Sequence, residues 1–234
     1  MSPTFDHVGF FAGDVSGARL AAGVLCGNWR TEKIGEMKVP VLGVPEGPYL
    51  ERASPGMLAH FRTVCDRLAA AGYEMKRVNA MPDFDAIYDR HFLITNGEAA
   101  RAHRDWFPRF RDLYHVKTVE RLEQGRAVSD SALTQALRDR ERFVQAMDQL
   151  MQQNAIDLWI SPSAVGAAPA GLESTGDPVM NLPWSQAGFP VLSLPSGRSA
   201  EGLPLGLQLT APPDADERLL AWADGLESAL VARE

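Results

Sequence analysis

The chain has 234 residues, 45% of them hydrophobic and 23% charged, which excludes a disordered polypeptide and suffices for a sizeable buried core. Two cysteines, Cys26 and Cys65, are too few for a disulfide framework or a four-thiolate zinc site. The formal net charge is −7, and the 23 basic residues form no basic run, so no nucleic-acid partner is expected.

In chain order, Val8 to Ala12 is a short apolar run that predicts a buried strand. Val15, Ala18, Ala21, Ala22 and Leu25 follow at helical spacing, with Gly27 as a stop. Val39 to Val44 predicts a second strand, ended by Pro45 and Pro48. Ser54-Pro55 joins a favoured N-cap to proline at the first helical position. The helix after it carries Leu58, Phe61, Val64, Cys65 and Leu68 and ends near Gly72; Tyr73 to Val78 is the next strand. This β-α-β-α-β order points to an α/β layer fold.

Residues 83–114 predict aromatic-rich helix, kinked or split at Pro108. Ser129 or Asp130 can cap a long helix to about Gln153, with an apolar stripe of Leu133, Leu137, Val144, Met147 and Met151. Ile156 to Ile160 is a buried strand. Residues 161–190 are then rich in proline and glycine, and the flanking strands favour an ordered loop that returns to the sheet. Val191 to Leu194 and Leu203 to Leu209 form a hairpin, and Asp214-x-x-Glu217 is a capping-box-like start for the last helix.

Several chemistries are absent as motifs. There is no HExxH, CxxC, GxGxxG, phosphate-binding loop or GxSxG. No metal and no cofactor are expected. His7, His60, His91, His103 and His115 show no metal-ligand spacing. Asp6-His7 fits backbone satisfaction at the entry of a strand better than an acid–base pair. Ser174-Thr175-Gly176-Asp177, with Asn181 and Trp184 close behind, groups hydroxyls, a carboxylate and an amide in the proline-rich loop. That group suits either a small-molecule cleft or a plain turn before Pro178.

Two segments carry a family resemblance. Ser174 to Trp184 (STGDPVMNLPW) runs into Ala187-Gly188-Phe189-Pro190 and Ser193-Leu194-Pro195-Ser196-Gly197, then Gly202-Leu203-Pro204-Leu205-Gly206-Leu207-Gln208-Leu209. This resembles the C-terminal signature of the amidase signature family. Phe5-Asp6-His7-Val8-Gly9-Phe10 resembles the family's mid-chain Asp-His-Val-Gly segment, and Asp157 to Pro162 its strand leading to Ser/Thr-Pro.

The resemblance implies a mixed β-sheet flanked by helices, like the C-terminal half of the amidase signature fold. It implies one truncated amidase-like domain over residues 1–234, with 161–190 as the ordered cleft loop. It implies Ser174, Thr175, Gly176, Asp177 and Asn181 as substrate-binding residues for a small-molecule ester or amide.

The family's serine nucleophile, second serine and lysine lie upstream of Asp-His-Val-Gly, around a Gly/Ser-rich stretch. Here no two glycines and no two serines are adjacent, and the first lysine is Lys33. The triad maps onto no residue, so the catalytic residues are unknown. Activity then needs a rebuilt site, with hydroxyls from Ser161, Ser163, Ser174 or Thr175 and a base from His7, His103 or Asp177. The alternatives are a non-catalytic binding or remnant domain, or one half of a split amidase.

An exposed strand edge would favour a homodimer or larger homo-oligomer, with Val8–Ala12 and residues 83–114 as contact regions. No apolar run reaches the roughly 18 residues of a membrane span, and Met1 to Gly9 has no signal pattern, so no membrane association and a cytoplasmic location are the expectations.

Overall fold

The computed structural model describes residues 1–30, 34 and 37–231; Lys33 lies outside the described residues. Helix α1, Val15–Leu25, starts where Asp14 accepts a hydrogen bond from the Gly17 amide at 2.6 Å. Strand β1, Leu42–Glu46, precedes α2, Pro55–Ala70, whose N-cap Ser54 accepts from the Met57 amide at 3.2 Å. Gly72, at φ +96°, lets the chain turn into β2, Met75–Asn79.

The aromatic stretch is divided. Helix α3 spans Phe84–Ala102, and Pro108 stands in the first turn of a short α4, Phe107–Phe110. Helices α5, Val116–Arg126, and α6, Asp130–Gln153, follow, α6 capped by Ser129. Then come β3, Leu158–Pro162; a single 3₁₀ turn, Pro178–Met180; α7, Leu182–Ala187; β4, Val191–Arg198; β5, Pro204–Thr210; and α8, Asp216–Val231.

The five strands make one mixed sheet in the order β2-β1-β3-β5-β4. β2, β1 and β3 are parallel, and β5 is antiparallel to both β3 and β4. Strand alternation divides the core into two layers. Leu42, Val44, Leu158, Ile160, Leu207 and Leu209 face α2 and α8, where Phe61, Leu68, Leu219 and Leu226 complete one cluster. Trp159 and Leu205 join the other, with Ile87, Met147, Met151 and Trp184 from α3, α6 and α7.

Gly43 sits opposite Trp159 in the parallel register, and a Cβ there would stand 2.6 Å from the indole ring. Only glycine leaves room for that tryptophan.

Two expectations change. Val8 to Ala12 is not a strand: its residues are irregular and exposed, Val8 at 94% and Phe11 at 106%. An apolar run forms a strand only where another strand supplies hydrogen-bond partners, and none lies beside it among the described residues. The last helix starts at Asp216 rather than on a capping box at Asp214. Asp214 turns left-handed at φ +59°, and Glu217 accepts from the Arg30 amide at 3.0 Å.

Candidate functional site

Strands β1, β2 and β3 end on the same side of the sheet, and β4, parallel in direction to β3, ends there too. α/β sheets bind ligands at this end. Four loops and turns meet it: Gly47–Ser54, Ser163–Asp177, the 3₁₀ turn at Met180, and Ser199–Leu203.

A buried polar network holds the proline-rich segment to the sheet. The Tyr49 hydroxyl accepts from Trp184 Nε1 at 2.9 Å and lies 2.8 Å from the Met180 carbonyl oxygen and 3.0 Å from Ser161 Oγ. Gln208 Nε2 donates to Ser161 Oγ at 3.2 Å. Tyr49, Ser161, Trp184 and Gln208 are all buried. Burial pushes the Tyr49 hydroxyl well above its ordinary value, so it stays a neutral donor and acceptor.

This network gives Trp184 and Gln208, both within the signature segments, a structural role. Trp184 and Gln208 clamp the Met180 turn. Gly206 makes room for Ser163, whose Oγ would lie 2.3 Å from a Cβ at that position. Gly188, at φ +70°, ends α7 so that Phe189 can enter the core.

The expected substrate-binding residues lie just outside the clamp. Ser174, Thr175, Gly176, Asp177 and Asn181 are all exposed. Ser174 Oγ accepts from the Gly176 amide at 3.1 Å, and Asp177 caps the 3₁₀ turn by accepting from the Val179 amide at 2.9 Å. Their local roles are those of turn residues. The segment leaves its outer surface, Ser174 to Asp177, open to solvent.

None of the expected nucleophile–base pairs is hydrogen-bonded among the described residues. Ser161 is used by Tyr49 and Gln208. His7 Nδ1 contacts the Phe5 carbonyl at 2.8 Å, and Asp6 holds the Ser2 amide, so both polar groups serve the backbone. His103 Nδ1 pairs with the Tyr114 hydroxyl at 2.9 Å.

A serine–imidazole pair does form among the described residues, and it is one the sequence does not point to: His60 Nε2 lies 2.9 Å from Ser196 Oγ. Three features build it. The register of β4 against β5 shifts between Pro195 and Gly197, so Ser196 is a bulge residue. Gly197 lets His60 close in, since a Cβ there would stand 2.7 Å from His60 Cε1. Burial, with Arg67 nearby, lowers the pKa of His60, which favours the neutral imidazole that a base must be.

The Ser196 hydroxyl also lies 3.2 Å from the Leu205 carbonyl oxygen, and its one proton serves one acceptor at a time. The pair sits on the α2 face of the sheet, opposite the Trp159–Ser161 face that carries the loop. His60 and Ser196 share no sequence spacing that would pair them; only the bulge and the glycine bring them together.

No cluster of three or more histidine, cysteine or acidic side chains able to hold a metal occurs among the described residues, and no helix among them is long and apolar enough to cross a membrane.

The comparisons with known proteins point one way. A family model described as Amidase matches residues 1–220. A glutamyl-tRNA(Gln) amidotransferase subunit of Synechococcus sp. (strain RCC307) is 27% identical over 220 residues, covering 80% of this chain and 44% of its own length. Mandelamide hydrolase of Pseudomonas putida is 34% identical over 117 residues, 46% of this chain and 23% of that protein.

A crystal structure of an amidase superposes with a TM-score of 0.81 at 25% identity, over 93% of this chain and 51% of that one. 6-Aminohexanoate cyclic dimer hydrolase, complexed with substrate, shares the fold with a TM-score of 0.74 at 21% identity, over 96% of this chain and 55% of that one. The chain spans about half the length of the relatives it matches.

Proposed function

The chain belongs to the amidase family, and from that membership we propose that it forms the substrate-facing part of a hydrolase acting on a small amide or ester. In this reading Ser174, Thr175, Gly176, Asp177 and Asn181 form one wall of the cleft. The groups that attack the substrate are supplied by further polypeptide, in the same chain or in a partner. The observation that carries it is the uncovered side of the molecule. β4 is an edge strand, Val191, Ser193 and Pro195 on it are exposed, and Val8 and Phe11 of the apolar run Val8–Ala12 are almost wholly exposed. Edges and apolar segments of this kind favour pairing with another chain.

Without a complement, the same edge supports a homodimer. Sedimentation of the pure protein alone should give a dimer or larger species; a clean monomer at high concentration would remove the self-association reading. For the main reading, amide hydrolysis should appear when a polypeptide bearing the amidase family's Ser-Ser-Lys groups is added. Asp177→Ala and Asn181→Ala should then raise KM more than they lower kcat. If neither substitution moved KM, the loop would be no part of the cleft.

Ser196 and His60 favour a second reading, a rebuilt site for activated esters. The Ser196 Oγ proton would pass to His60 Nε2 as Oγ bonds the acyl carbon, His60 would return it to the leaving alcohol, and water would release the acyl group. A fluorophosphonate probe should label Ser196, with labelling lost in Ser196→Ala and His60→Gln. Labelling elsewhere, or equal labelling of the variants, would rule this pair out.

A further inference from the structure

Far from the sheet end, α3, α4 and α5 enclose a cavity of about 170 Å³. Its apolar wall is Ala100, Phe107 and Leu122, all buried. Arg104 and Arg126 line the same space. An adjoining, more open cavity of about 330 Å³ shares Ala100, Arg104 and Arg126.

The packing explains why the space exists. Gly125 on α5 meets α3 so closely that a Cβ would stand 1.9 Å from the Asn96 carbonyl oxygen. The two helices touch there, and the cavity lies beside that contact, lined by Ala100 of α3 and Leu122 and Arg126 of α5. Phe107 from α4, held edge-on against Tyr114 at a centroid distance of 5.6 Å, forms part of the wall.

The charges are unevenly used. Arg101, beside the larger cavity, is committed to the Gly97 and Val128 carbonyls and to Asp130. The Arg126 side chain makes no hydrogen bond or ion pair among the described residues. The one ion pair of Arg104 among them is a 3.5 Å contact with its chain neighbour Asp105, both side chains about 80% exposed. Two guanidinium groups with free donors therefore stand at an apolar cavity.

A guanidinium presents paired N–H donors that match a carboxylate. Pockets with an apolar lining and a few placed polar groups bind small molecules. We infer that this cavity is a second binding site, for a small carboxylate with an aromatic or short aliphatic body. The apolar body lies against Phe107 and Leu122, and the carboxylate is held by Arg104 and Arg126. The inference stands independently of the proposed hydrolase function, since no residue of the sheet-end site takes part.

The test titrates the full chain with phenylacetate, and in parallel with phenylacetamide, the uncharged counterpart of the same shape. Binding is followed by calorimetry and by amide chemical shifts. Phenylacetate should bind saturably, shift the amides of residues 100–107 and 122–128, and bind at least about tenfold more tightly than the amide. Arg126→Gln and Arg104→Gln should each weaken phenylacetate about tenfold and leave the amide unchanged. Both arginines are exposed, so the variants should fold, and Arg109→Gln, outside the cavity, should bind as the parent does. No saturable binding, equal affinity for the amide, or parental affinity in Arg126→Gln and Arg104→Gln would each overturn the inference.

Discussion

The two ends of the sheet's inner face make an instructive pair. Across β1, β3 and β5 this face is roofed by α3, α6 and α7, and Trp159 and Trp184 beneath the roof have no exposed surface. On β4 the same face is open, with Val191, Ser193 and Pro195 exposed. Apolar composition alone does not decide exposure; Val8-Gly9-Phe10-Phe11 is as hydrophobic as many buried strands, yet it is exposed. What separates the two regions is whether a partner element exists. Apolar composition creates the demand for burial, and topology decides whether this chain alone can meet it.

The contrast can be broken from the covered side first. Trp184→Ala removes a fully buried indole and the Nε1 donor to Tyr49. It should cost about 3–5 kcal/mol in denaturant unfolding. A loss below about 1 kcal/mol would mean that the α7 roof is not cooperative with the sheet.

Acid acts next, at a smaller apolar cluster of Phe5, Ile94, Leu133 and Ala136. His91 stacks on Phe5 at 4.6 Å, and burial, with Arg121 nearby, lowers its pKa from 6.5 to about 4. The depressed value means that the unfolded chain takes up the proton first. Stability from this residue is whole above pH 6.5 and is lost as pH falls from 6.5 towards 4, by about 2 kcal/mol. His91→Phe should flatten that part of the stability–pH curve.

Tyr49→Phe keeps the ring and removes the shared hydroxyl. Trp184 Nε1 loses its acceptor and the Met180 carbonyl a donor, so about 1–3 kcal/mol should go. Proteolytic nicking within residues 163–177 should also rise, because the clamp on that segment loosens.

The smallest effect belongs to the uncovered side. Phe11→Ser should change unfolding free energy by less than about 0.5 kcal/mol, since no described residue packs over that ring. The same substitution should reduce self-association, and a large loss of stability with unchanged association would reverse the comparison.

Local signals carried most of the fold. Ser54-Pro55, Ser129 and Gly188 act as the caps their residue types suggest, because a helix end has few ways to satisfy its free amides and carbonyls. The strand at Val8–Ala12 was illegible in the opposite sense. Its pattern is correct for a strand, and the missing quantity, a neighbouring strand, is not local. The polar network was half legible. Trp184 and Gln208 stand within the signature segments, but Tyr49, which joins them, is 135 residues from Trp184 and belongs to no motif. Ser196 and His60 were hidden for the same reason, since a bulge and a glycine contact are properties of the assembled sheet.

The slot that Gly43 opens for Trp159 has an optical consequence. It seats that indole 6.4 Å from Trp184, centroid to centroid, with both rings out of water. One ring belongs to the sheet and the other to α7, within the cleft loop. Of the five tryptophans, these two share an excited-state neighbourhood. Displacement of that segment would separate the pair and wet one of them, so the protein's own ultraviolet emission reports whether the loop is docked.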